Sequence, residues 1–265
     1  MPPAPCHALR TRDLSPARSS NALQPETLRR ALRREAITRC VRDARVGAVG
    51  GGPRRAAREG AAAAVVVDGR SGGEAVMQGA DTAAVVTATR VWLERAVIGL
   101  QLCPFAKAVY VNEQVRYTVS EAQTMDALRE VLERELRTLA QADASVIDTT
   151  LLIHPQVLTD FLDYNDFFDI AEATVEALGL DGVVQIASFH PAYQFAGTPR
   201  DDVTNFTNRS PYPMLHLLRE ASVSRAVDAF LDAPNIYQRN IETMRRLGAQ
   251  GWAALGLEAP VRATD

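Results

Sequence analysis

Residues 147–155 read Ile-Asp-Thr-Thr-Leu-Leu-Ile-His-Pro, and residues 183–191 read Val-Val-Gln-Ile-Ala-Ser-Phe-His-Pro. Both are short apolar runs with β-branched or aromatic side chains, and both close on His-Pro. Such runs between turn signals read as buried strands, here Ile147–Ile153 and Val183–Phe189. Proline has no N–H to donate, so it takes the chain out of the sheet and leaves His154 and His190 as strand ends. The stretch between, about 156–178, aligns Leu158, Leu162, Ala171, Val175 and Leu178 at helical spacing. It stops at Gly179, a residue suited to a helix C-terminus. Strand, helix, strand is the central unit.

Upstream, Val115–Val119 (Val-Arg-Tyr-Thr-Val) alternates apolar and polar residues as a strand does, and Ala108–Val111 is expected to pair with it as a hairpin across Asn112-Glu113-Gln114. Ser120-Glu121-Ala122-Gln123 has the capping-box pattern and should open a helix carrying Leu128, Leu132, Leu136 and Leu139 on one face. Val86, Leu93, Val97 and Leu100 mark an earlier amphipathic helix over about 82–101, ended by Pro104. Downstream, a polar loop runs from Tyr193 to Arg209. Ser210-Pro211 then reads as a helix start, with Met214, Leu217, Leu218 and Ala221 as its buried face. Two short helices near 222–231 and 234–247 follow. The β-α-β-α-β order predicts an α/β fold: a small three- or four-stranded sheet covered by helices, with a C-terminal helical segment.

The 265-residue chain is 47% hydrophobic, which excludes a wholly disordered polymer. No run of eighteen apolar residues suggests a transmembrane helix. Cys6, Cys40 and Cys103 make no disulfide framework, so a reducing, cytoplasmic setting is expected. The net charge of −3 conceals an asymmetry: residues 1–76 are basic and rich in Arg, Ala and Gly, whereas residues 77–265 are acidic. The basic part lacks spaced large apolar residues. It reads as a disordered tail, an organelle transit peptide or sequence upstream of a misplaced start, with Met77 a sensible true start. Residues 77–252 are then one globular domain and 253–265 a flexible tail.

Five separate stretches, Trp92–Ala106, Asp148–Pro155, Asp163–Phe167, Ala187–Gly197 and Thr207–Glu220, together resemble a bacterial and plant family known as domain of unknown function 1415. The resemblance covers about residues 80–252. It implies a compact single domain without a long leader, in line with Met77 as the start, and it brings no mechanism.

The chemistry must therefore come from the residues. If the strands ending at His154 and His190 are parallel, both imidazoles emerge at one carboxyl edge, where open α/β sheets place their ligands. Two imidazoles there can act as acid and base; alternatively, each caps strand-end backbone groups. A separation above about 15 Å would remove the case for a shared site, since adjacent strands lie only about 4.8 Å apart. Cys103 is a candidate nucleophile for activation by either histidine, although the expected helix C-terminus disfavours a thiolate. With the two histidines it would also supply three zinc ligands, at none of the compact zinc-motif spacings. Asn208, Arg209 and Ser210, ahead of Pro211, are expected to seat an anion at a helix N-terminus, or simply to cap it. Tyr193 and Asn165 complete the candidate substrate-binding set, Asn165 falling where a helical apolar stripe should run. His216 is expected at a surface or edge. Cys103 and the Asn208-Arg209 loop should border one concavity with the histidines.

The leading expectation is a small-molecule enzyme acting on an anionic substrate through a His/His or Cys–His site. The rival is a non-catalytic domain binding a metabolite or a protein. No cofactor is specified. Neither nucleic-acid nor membrane binding is expected of the folded domain, and the sequence leaves the oligomeric state open.

Overall fold

The computed structural model describes residues 64–66, 82–230 and 235–257. The leader expected over 1–76 and the tail expected over 253–265 lie outside the described residues, apart from 64–66 and 253–257. The strands are β1 (Ala64–Val66), β2 (Val115–Ser120), β3 (Thr149–Ile153), β4 (Val184–Phe189) and β5 (Met214–Arg219), in the sheet order β1-β2-β3-β5-β4. The helices are α1 (Thr82–Trp92), α2 (Ala106–Val111), α3 (Met125–Gln141), α4 (Phe161–Ala177), α5 (Glu220–Ala229) and α6 (Ile236–Ala253). A π-helix, Leu93–Ile98, continues α1, and a 3-10 helix spans Val203–Asn208. The class is α/β. No helix of the described residues is long and apolar enough to cross a membrane.

Strand alternation sorts the side chains onto two faces. Leu152, Leu215, Leu217, Val184 and Ile186 pack with α3 and α4, around Leu128, Leu132, Leu136 and Leu139. Tyr117, Val119, Leu151, Ile153 and Met214 pack with α1 and the π-helix, around Trp92 and Ala96. Each fully buried leucine contributes about 1.5–3 kcal/mol, so the α3 stripe alone is a large part of what holds that layer. One polar tie joins the same layer: the Arg116 Nε–H donates to Glu135 of α3 at 2.8 Å, beside a Thr118 hydroxyl at 3.1 Å.

Four expectations of local structure fail, each for a physical reason. Met214–Arg219 is the strand β5 and not a helix. It lies between β3 and β4, so both its faces are buried, and a doubly buried strand loses the alternation that would announce it. Ala108–Val111 belongs to α2 and forms no hairpin; β2 pairs instead with β1 and, in parallel, with β3. Ser120 accepts the Ala122 N–H but opens no helix, because Thr124 is the residue that caps α3 through the Ala127 N–H. Helix α4 starts at Phe161 under an Asp160 cap, five residues later than its expected start near 156, and its buried stripe runs through Tyr164, Phe168, Ala171 and Val175. Leu162, placed on that stripe by the sequence, is exposed. Gly179 does end α4. Its φ of 67° is the left-handed conformation, and the N–H groups of Gly179 and Leu180 close back on Glu176 and Val175.

Candidate functional site at the carboxyl edge

β3 and β4 are not neighbours, yet they run the same way, because each is antiparallel to β5 between them. Met214 of β5 is the register partner of both Ile153 and Phe189. The residues that follow, His154 and His190, therefore leave the sheet level with each other on one edge. Their backbones are held there: the His154 N–H donates to Pro213 O at 3.0 Å and the His190 N–H to Asn208 O at 3.2 Å.

Tyr164 of α4 fills the space between the two imidazoles. Its ring lies 5.8 Å from that of His154 and 5.1 Å from that of His190, centroid to centroid, so the two imidazoles are at most about 11 Å apart, inside the limit of about 15 Å for a shared site. Its hydroxyl donates to Met214 O at 2.9 Å and accepts the Phe189 N–H at 3.1 Å, bridging facing residues of β5 and β4.

The two imidazoles are bonded differently. His154 is fully buried; its Nδ1 donates to Val157 O at 3.0 Å, which leaves Nε2 as a bare acceptor without a hydrogen-bond partner. His190 uses both nitrogens: Nδ1 accepts the Ala192 N–H at 3.0 Å and Nε2 donates to Leu158 O at 3.2 Å. Burial, the dominant cause, holds both at about 4. For His154 the neighbouring His190 pushes further down while Val157 O pulls up; for His190, Leu158 O and Asp160 pull up. Both rings are neutral at physiological pH.

Val157 and Leu158 are consecutive residues of the β3–α4 loop, so the two histidines clamp one loop by adjacent carbonyls. Leu158 needs that support: its φ of 57° lies in the left-handed region, which disfavours a residue with a Cβ. Pro155, Gln156 and Thr159 of this loop, with Gln123 after β2, line an open concavity of about 650 Å³. Gln123 Nε2 donates across to Gln156 Oε1 at 3.2 Å.

The model of a family described as "Protein of unknown function (DUF1415)" matches residues 84–254, which span every residue of this edge. The chain belongs to the DUF1415 family. No curated protein and no solved structure matches it.

The other expected site residues of this DUF1415 domain fall elsewhere. Cys103 packs against the core of the opposite face, with Trp92 and Tyr117, and so joins neither histidine as nucleophile or as a third zinc ligand. It follows the end of the long helical run of α1 and the π-helix, its N–H closing back on Val97 O, with its thiol beside the start of α2; burial pushes the thiol up, outweighing the Phe105 and Ala106 N–H groups that favour the thiolate. Among the described residues no group of three or more His, Cys, Asp or Glu is arranged to hold a metal ion.

The anion seat at Asn208-Arg209-Ser210 loses its basis, because no helix starts there: the 3-10 helix ends at Asn208 and β5 follows. Asn208 Nδ2 donates to Ser188 O, Ser210 to Tyr212 O, and the Arg209 guanidinium to the carbonyls of Tyr193 and Arg200 while lying over the Phe206 ring. Neither Cys103 nor this loop borders the concavity, and His154 and His190, both buried, do not line it either. Tyr193 is buried near the edge, its ring 5.2 Å from Phe161, which in turn lies 5.4 Å from His190. Asn165 sits half-buried in an unbroken helix. His216 lies half-buried on the inner strand β5, not on an edge strand, and bonds Thr149 Oγ1 at 2.7 Å. Tyr164 and Leu158 were missed as site residues. Tyr164 would have emerged from the stripe Phe161, Tyr164, Phe168, Ala171, which is spaced as well as the one chosen; no sequence signal marks the left-handed Leu158.

Proposed function

We propose that the domain acts on a small molecule bound at the carboxyl edge of β2 and β3, in the concavity framed by the β3–α4 loop. His154 and His190 hold that loop from behind, and the unpartnered Nε2 of His154 is the acceptor proposed for a ligand group that reaches past the loop. One observation carries the reading: a buried imidazole whose Nδ1 is fixed by Val157 O while its Nε2 has no partner. A buried acceptor left without a partner is costly, and a ligand that supplies the donor recovers that energy. The ring is neutral at physiological pH and has no proton on Nε2 to give, so it can take a hydrogen bond there; burial, which holds it at about 4, makes it a weak base.

A non-catalytic binding domain is the second reading. It is favoured by the absence of nucleophilic or charged side chains among the residues lining the concavity.

The test begins with native mass spectrometry of untagged protein for a co-purified small molecule. Backbone amide shifts in metabolite mixtures then locate binding. Shifts centred on Gln123, Gln156 and Thr159 support the site; shifts centred on the α1 face refute it. Turnover lost in His154→Asn, with binding retained, separates enzyme from binder, because Asn keeps a donor near the Nδ1 position.

A further inference from the structure

The concavity selects its ligand by charge, and we infer that it takes an uncharged molecule carrying both hydrogen-bond donors and acceptors, in preference to an anion. The inference rests on the edge being a ligand site, as proposed above. Two helices begin beside it, and a helix N-terminus ordinarily attracts anions through its free N–H groups and dipole. Here both starts are already capped by side chains of the protein itself. The Thr124 hydroxyl accepts the Ala127 N–H of α3, and the Asp160 carboxylate accepts the Leu162 and Asp163 N–H groups of α4. Asp126 and Asp163 in the first turns add negative charge at the same two points. These carboxylates do not line the concavity, but they set a negative charge at the two helix starts next to it, which disfavours an anion there.

The lining contains no Arg, Lys or His to compensate. It offers two amides and a hydroxyl. The bond from Gln123 to Gln156 engages one donor and one acceptor of that pair, so the Gln123 Oε1, the Gln156 Nε2 and the Thr159 hydroxyl remain for a ligand. That set contains donors and acceptors without formal charge, the complement of a polyol or a neutral amide. The anionic substrate expected from sequence depended on Arg209, whose guanidinium is bonded to backbone carbonyls.

The experiment follows the side-chain amide resonances of Gln123 and Gln156 in the full chain during titrations with N-acetylglucosamine, inorganic phosphate and putrescine, one neutral, one anionic and one cationic probe. Saturable shifts with N-acetylglucosamine, weakened about tenfold in Gln156→Ala, are the expected result, the size of one lost neutral hydrogen bond. An unchanged unfolding transition in that variant shows the loss to be local. Shifts with phosphate or putrescine alone would overturn the charge selection and leave the site standing. No shift with any probe would overturn the site and the inference together.

Discussion

Acid should unfold this domain earlier than its carboxylates require. His154 and His190 are held at about 4 in the folded state against an ordinary value of 6.5. A depressed histidine means that the unfolded chain binds the proton more tightly. Stability is therefore complete above pH 6.5, falls as pH drops from 6.5 toward 4, and stops falling from this source below 4. Each ring loses about 1.4 kcal/mol per pH unit within that window. For the two together, moving from pH 7 to pH 5 removes about 4 kcal/mol, a large share of the roughly 5–15 kcal/mol that holds a typical domain. His216, also at about 4 through burial, steepens the fall further.

Urea unfolding followed by circular dichroism at half-unit steps from pH 7.5 to 5 measures the slope. His154→Asn removes one titrating ring and should flatten the slope by about 1.4 kcal/mol per pH unit. Two results would refute the reasoning: an unaltered slope in that variant, or ring-proton titrations of His154 and His190 with midpoints near 6.5.

Other consequences can be checked on the same assay. Tyr164→Phe removes the hydroxyl that bridges Met214 O and Phe189 N, taking one hydrogen bond from each backbone group; a loss of about 1–3 kcal/mol and faster amide exchange at Phe189 are expected. Gly99→Ala drives a Cβ into the Arg95 carbonyl oxygen, where the π-helix turns into the chain toward Cys103. The backbone must shift, and a loss of about 1–3 kcal/mol should lower the melting temperature. A chain beginning at Met77 is expected to keep one cooperative unfolding transition. Among the described residues it gives up the β1 pairing with the edge of β2, and loss of cooperative melting would place the domain boundary before β1.

What could be read from the residues follows the rule that local signals survive where one face is buried and fail where two are. Leu128, Leu132, Leu136 and Leu139 repeat every three or four residues because only one side of α3 meets the sheet. Gly179 is visible because a left-handed turn favours one residue type. β5 is the opposite case: Met214, Leu215 and Leu217 are all buried, so its apolar run fits a helix as well as a strand until its neighbours are known. The level placement of the two histidines could be anticipated from the repeated strand-His-Pro, since proline stops both ladders at the same point relative to the ring. That β5 separates those strands could not. The bonds that distinguish the rings depend on the carbonyls of Val157 and Leu158, and hence on a backbone turn that a leucine does not announce.

This difference between the rings gives the sharpest way to divide structure from chemistry at the edge. His190 donates to the carbonyl of the strained Leu158 and accepts from Ala192, so both its nitrogens maintain local backbone. Replacing it with Ala should release the β3–α4 loop, destabilise the fold by about 2–4 kcal/mol for two lost buried bonds, and raise amide exchange from Val157 to Asp160. His154→Asn should behave otherwise. Its amide can still donate to Val157 O, the Nε2 that needed a partner is gone, and stability at pH 7 should change by less than about 1 kcal/mol. If both variants lose stability alike, His154 is a strand-end cap like its counterpart, and the case for an acceptor at this edge disappears. If His154→Asn folds as well as the parent at pH 7, fold stability does not explain a histidine there. The unpartnered nitrogen is then left without a structural role, and ligand binding at the edge beside Gln123 and Gln156 is where one should be sought.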